Sequence, residues 1–148
     1  MSDQPSLTEM IDAIIKTFIV AHADDTDAHL AQALVYNAGR LAWRLREQGV
    51  DVSQKTDRAD VVTDADFAAE RFVAGVLEAL RGEDGIVGEE GANRESKSGR
   101  TWVIDPVDGT FNFASGFDYW CSALALTDAS GVILGAVPVS YTHLRAHE

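Results

Sequence analysis

Trp102-Val-Ile-Asp-Pro-Val-Asp-Gly-Thr-Phe-Asn-Phe113 sets the terms for the rest of the chain. An apolar run delivers two carboxylates, Asp105 and Asp108, three residues apart. The Gly-Thr pair that follows suits a turn or the start of a helix. Carboxylate oxygens are hard ligands for magnesium, which keeps part of its shell for phosphate and water. Backbone N–H groups at a helix start attract an anion. The same residues also read as a plain hairpin. Asp-Pro and Asp-Gly are turn dipeptides, and Thr-Phe-Asn-Phe alternates polar and apolar like a second arm. Spacing alone leans toward the hairpin.

Two upstream segments shift that balance. In Gly85-Ile-Val-Gly-Glu-Glu-Gly91 a short apolar strand ends in the carboxylate pair Glu89 and Glu90. Alone, such a pair is usually a charged loop. In Lys55-Thr-Asp-Arg-Ala-Asp60-Val-Val-Thr63-Asp-Ala-Asp66, Val61 and Val62 read as the end of an extended stretch. Thr63 then reads as a helix N-cap, with Asp66 as the acidic partner of a capping box. Acidic residues in a first turn also suit the helix dipole, so Asp66 has a structural explanation of its own.

Taken together and in this order, Val-Thr-Asp-Ala-Asp, Gly-Glu-Glu and Asp-Pro-Val-Asp-Gly-Thr with its Asn-Phe resemble the inositol monophosphatase family of magnesium-dependent, lithium-sensitive phosphatases. The resemblance runs from about Asp27 to Val137. It implies Mg2+ as cofactor and a small phosphorylated substrate, most simply an inositol monophosphate. It implies a first metal held by Glu89, Asp105 and the Val107 carbonyl, and a second held by Asp105 and Asp108. Glu89 and the Thr110 hydroxyl would orient the attacking water, with Asp66 accepting a hydrogen bond from Thr110. Asp108 and the N–H groups of Gly109 and Thr110 would meet the substrate's phosphate. Glu90 is a supporting residue, and Lys55 a weaker correspondence.

The resemblance also implies what lies outside the match. Family members are about twice this length, with a second α/β domain and a further metal-ligating aspartate in a Trp-Asp-type motif that this sequence lacks. The expected organisation is a metal-binding phosphatase domain over 1–137 and an atypical, disordered tail over 138–148, as in a truncated or chimeric product. His143 and His147 in that tail have a spacing that can chelate metal on a helix. An incomplete sheet would leave an open edge and an exposed apolar face, so self-association is expected, with a homodimer as the assembly many relatives adopt. The alternative expectation is an inactive fragment that retains metal binding or subunit association.

Bulk composition bounds the partners. The 148 residues are 46% hydrophobic and 24% charged, enough for one domain with a core. With 24 acidic against 12 basic residues the net charge is −12. That disfavours nucleic acid and anionic membranes. Cys121 is the single cysteine, which excludes an intrachain disulfide and suits the cytoplasm. It reads as a core thiol. No basic region precedes a long apolar stretch at the N-terminus, and Ile11 to Ala21 is too short to span a bilayer.

Periodicity supplies the elements. Leu7, Met10, Ile11, Ile14, Ile15, Phe18 and Ile19 form a helical stripe over about 7–22. A second helix runs over about 27–48, with Gly49 at C′. An extended segment is expected from Asp51 to Val62, and a third helix from Asp64 to about Arg81. Ile86-Val87 and Trp102–Ile104 are strands, and Gly91–Arg100 is a mobile loop. Trp120–Thr127 and Val132–Val137 form a hairpin across Asp128-Ala-Ser-Gly131. The fold class is α/β in the layered α+β sense: helices packed on a mainly antiparallel sheet.

Overall fold

In the computed structural model the described residues are 4–52, 58–116 and 120–138, and of 49–52 and 58–63 the backbone alone is described. The first apolar stripe forms α1 (Leu7–His22). Ser6 caps it: its hydroxyl accepts from the Glu9 N–H, and Glu9 accepts in return from the Ser6 N–H. That reciprocal pair satisfies two orphan donors of the first turn. Ile11 and Phe18 face the interior.

The second helix, α2 (Asp27–Val52), starts where expected and buries Leu30, Ala31, Leu34, Val35, Ala38 and Ala42. It does not stop at Gly49. A glycine inside a helix costs only about 1 kcal/mol relative to alanine, which a continuing helix absorbs. The third helix, α3 (Arg58–Leu80), corrects a second expectation. Val61, Val62 and Thr63 lie inside it rather than in an extended stretch with an N-cap. Their β-branched side chains lower helix propensity by less than about 0.7 kcal/mol each, too little to break a helix held by packing downstream. Asp66 is therefore an interior helical residue, with no capping-box role.

The strands are β1 (Gly85–Gly88), β2 (Asn93–Arg94), β3 (Thr101–Asp108), β4 (Cys121–Asp128) and β5 (Gly131–Ala136). They form one sheet in the order β2-β1-β3-β4-β5. β1 and β3 are parallel and every other pair is antiparallel. The expected class holds. α1 packs on α3, α3 meets β3, and α2 lies across β3, β4 and β5. Trp102, Ile104, Leu124, Leu126 and Ile86 bury into that helical layer. Among the described residues β2 and β5 are the sheet's edges, and Val132 and Ile133 in β5 and Val137 just after it are exposed. No described helix is long and apolar enough to cross a membrane.

The segment read as a mobile loop is fastened. β2 pairs with β1. Arg94 donates to the carbonyls of Arg81 and Asp84, and Ser96 donates to the Arg100 carbonyl at 2.6 Å. Arg100 bridges Asp27 and Asp84, each at 2.8 Å, while Arg81 reaches Asp27 at 2.8 Å. Asp84 is 4% exposed and also accepts from Ser98 and from the Trp102 indole. The polar residues that suggested a solvated loop tie it to α2, α3 and the sheet instead. The run Trp102–Phe113 is not a hairpin: β3 passes through Gly109 into α4 (Thr110–Ala114). Lys55 and the tail residues His143 and His147 lie outside the described residues.

Candidate active site

A strand's side chains alternate with period two, so residues three apart should face opposite sides. Asp105 and Asp108 escape this through a bulge. Asp105 pairs with Ala123 and Asp108 with Cys121, so β3 holds one residue more than β4 between them. Pro106 lacks the N–H that a regular ladder needs. Its carbonyl is covered from β4 by the Ser122 hydroxyl at 2.6 Å. The burial pattern records the phase change: Pro106 and Val107 are both buried, while Val103 and Asp108 are exposed. The extra residue brings both carboxylates to one side.

Parallel pairing brings Glu89 to the same rim. Gly88 is level with Ile104, so Glu89, one step further, is level with Asp105. Burial first, and then the carboxylates of Glu89 and Asp108, push Asp105 up to about 6. Asp66 approaches from α3. Burial first, and then Glu90, Glu89, Asp105 and Glu70, push it up to about 7. One oxygen of each, Asp66 Oδ1 and Asp105 Oδ1, is buried without a hydrogen-bond partner. Crowded, under-satisfied carboxylates at the carboxyl ends of β1 and β3 are a donor set that a hard divalent cation would neutralise. In chemistry the residues fit such an ion. Among the described residues no three His, Cys, Asp or Glu side chains close into a ready cage.

The β3–α4 junction is set by Gly109, at φ 91° and ψ 43°. A left-handed residue here favours glycine. The Thr110 hydroxyl donates to the Val107 carbonyl at 3.2 Å, so the expected hydrogen bond to Asp66 is not the one formed. The first side chain of the short helix folds back on the chain that precedes it. α4 is anchored by Phe113, fully buried and edge-on to Trp120 with ring centres 4.8 Å apart. Buried Arg46 of α2 lies over Phe113, 4.9 Å from the ring centre, and donates to the Phe113 carbonyl at 3.4 Å. Cys121 lies in β4 opposite Asp108; burial, then Asp108 and Asp105, push its thiol up. A raised pKa disfavours a nucleophile, though the side chain is half-buried rather than the core thiol expected.

The structure thus brings Glu89, Glu90 and Asp105 within electrostatic reach of Asp66, and Glu89 and Asp108 within reach of Asp105, with Val107, Gly109 and Thr110 in the adjoining junction. It adds Glu70, which the motifs did not single out. Glu70 is 2% exposed on α3 and accepts from the N–H groups of Glu90 and Ala92 at 2.9 and 3.1 Å. Its signal in the sequence was slight: a lone acid beside the apolar stripe of α3, four residues after Asp66.

The model of the inositol monophosphatase family matches residues 23–143. The chain belongs to that family. It is 39% identical over 113 residues to the histidinol-phosphatase of Mycobacterium tuberculosis, covering 75% of this chain and 43% of that protein. It is 40% identical over 106 residues to the inositol-1-monophosphatase of Rhizobium meliloti, covering 70% and 39% respectively. The structure of inositol monophosphatase II from Staphylococcus aureus superposes with a TM-score of 0.63 at 28% identity, over 74% of this chain and 40% of that one. This inositol monophosphatase family member therefore spans about two fifths of the length of the relatives it matches.

Proposed function

We propose that this chain carries the metal-binding part of a magnesium-dependent phosphatase for a small phosphate monoester, an inositol monophosphate in the first instance. The crowding of Asp105 by Glu89 and Asp108 at one rim carries the reading. Glu89, Asp105 and the Val107 carbonyl would hold one Mg2+, and Asp105 and Asp108 a second. Bound magnesium supplies Lewis acidity toward the phosphate and raises the nucleophilicity of water. The residues do the rest. Glu89 orients the attacking water and accepts its proton, with the Thr110 hydroxyl beside it. Asp108 and the N–H groups of Gly109 and Thr110 receive the phosphate. As water adds to phosphorus the ester P–O bond breaks, and the alcohol departs with the proton that Glu89 took from the water and returns through solvent. Asp66 lies behind this set as a half-buried acid.

Phosphate release from inositol 1-phosphate and from histidinol phosphate, with and without Mg2+ and with Li+ added, tests the proposal. Magnesium-dependent turnover that is lost in Asp105→Asn supports it, and the ratio of the two rates assigns the ester. A second reading is favoured by the second ion having only Asp105 and Asp108 to hold it among the described residues, with no closed three-ligand cage. In it the chain binds the ion without turning over. A magnesium-dependent rise in melting temperature without phosphate release would select it.

A further inference from the structure

Glu70 is buried, acidic and paired with no cation among the described residues. Both of its oxygens are engaged by backbone: Oε1 by the Glu90 N–H and Oε2 by the Ala92 N–H. The turn it grips is closed on the other side by the Gly88 N–H, which donates to the Ala92 carbonyl at 2.8 Å. Gly88 itself presses on the carboxylate, and a Cβ there would collide with Oε1. Burying a carboxylate is unfavourable unless it is well compensated, and Glu70 also adds to the repulsion felt by Asp66. A neutral side chain would serve if turn closure were the whole purpose. A carboxylate does two further things. Charge-assisted bonds are shorter and about twice as strong as neutral ones, which fixes the turn more tightly. The negative charge stays beside the rim, where it favours a cation.

We infer that Glu70 is a positioning residue: it clasps the 88–92 turn so that Glu89, the second residue of that turn, is held beside Asp105. This rests on the metal-binding reading above, because it assigns Glu70 a role through Glu89 and gives it no contact with metal or substrate. The clasp spans from the α3 turn after Asp66 to the end of β1, and so fixes the helix-borne and strand-borne acids of the site relative to each other.

The test is Mn2+ affinity of the full chain, read from the free-ion electron paramagnetic resonance signal, for the wild type, Glu70→Gln, Glu89→Gln, the double variant and Asp105→Asn. Glutamine keeps the volume but can accept one N–H only, and turns its own NH2 toward the other. Glu70→Gln is expected to weaken Mn2+ binding tenfold or more while remaining folded. The double variant should bind no worse than Glu89→Gln, because a residue acting through Glu89 has nothing left to position. Should Glu70→Gln fail to fold, Gly88→Ala disturbs the same clasp from the other side and takes its place in the cycle. Wild-type affinity in the clasp variant, or losses that add in full, overturns the inference while leaving the metal site standing. Wild-type binding no tighter than that of Asp105→Asn overturns the metal-binding reading and this inference with it.

Discussion

The Ser122 hydroxyl donates to the Pro106 carbonyl at 2.6 Å, from β4 to the bulge of β3. The bond seals the single place where the strand changes phase, and both groups are buried. Ser122→Ala would leave the carbonyl without its donor, a loss of about 2 kcal/mol. Urea denaturation should show the lowered midpoint. The response to Mg2+ should weaken as well, since the shared facing of Asp105 and Asp108 depends on the bulge. A variant as stable as the wild type would show that the bulge holds itself.

Asp84 offers a pH-dependent prediction. Burial alone would raise its pKa, but hydrogen bonds from Arg100, Ser98 and Trp102 outweigh it and hold the carboxyl below the usual range. A folded-state pKa below the unfolded one contributes stability above the unfolded value near 3.8, and that contribution fades as pH falls through the folded value. Asp84→Asn should therefore cost about 2 kcal/mol at pH 7. The gap between variant and wild type should close in acid, below about pH 4. A gap independent of pH would place the effect in packing rather than charge.

Asp105→Asn should act in opposite directions with and without metal. Metal-free, it removes a half-buried charge repelled by Glu89 and Asp108, so the variant should melt higher than the wild type. With Mg2+ at about a hundred times its Kd, the wild type should gain about 2.7 kcal/mol, a rise of roughly 5–10 °C. The variant should gain little. Scanning calorimetry with and without the ion reads both effects, and equal magnesium shifts in the two proteins would contradict the site.

Gly109→Ala should destabilise by about 1–2 kcal/mol through its left-handed backbone at φ 91°. Gly109→Asn should cost less, because asparagine tolerates that region better. Chemical denaturation distinguishes them. An alanine as mild as asparagine would mean that the junction relaxes to another geometry.

The sequence made some features legible and not others. The helical stripes, the Asp128-Ala-Ser-Gly131 turn and the ordered motifs were readable because they depend on local periodicity and turn chemistry. The start of α3 is not legible because Val61-Val62-Thr63 carries strand and capping signals that are too weak to override a long helix. Gly91–Arg100 looked solvated because its Arg and Ser side chains have partners on α2, α3 and the sheet, remote in sequence. Glu70 escaped notice for the same reason: its partners are backbone N–H groups about 20 residues on, and backbone leaves no mark in composition. Proline within β3 was the available clue to the bulge, though it read equally well as a turn.

Arg81, Arg94 and Arg100 turn inward to clasp Asp27, Asp84 and nearby carbonyls. The sequence has 12 basic residues in all, so these three leave the outer surface with few cations to offset its acids. A phosphate ester diffusing in meets a repulsive field once it comes within about one Debye length, about 8 Å at physiological ionic strength. Added salt shortens that reach. Under the proposed function, capture of a phosphate ester should thus quicken with ionic strength, the reverse of a site that draws an anion in by long-range attraction.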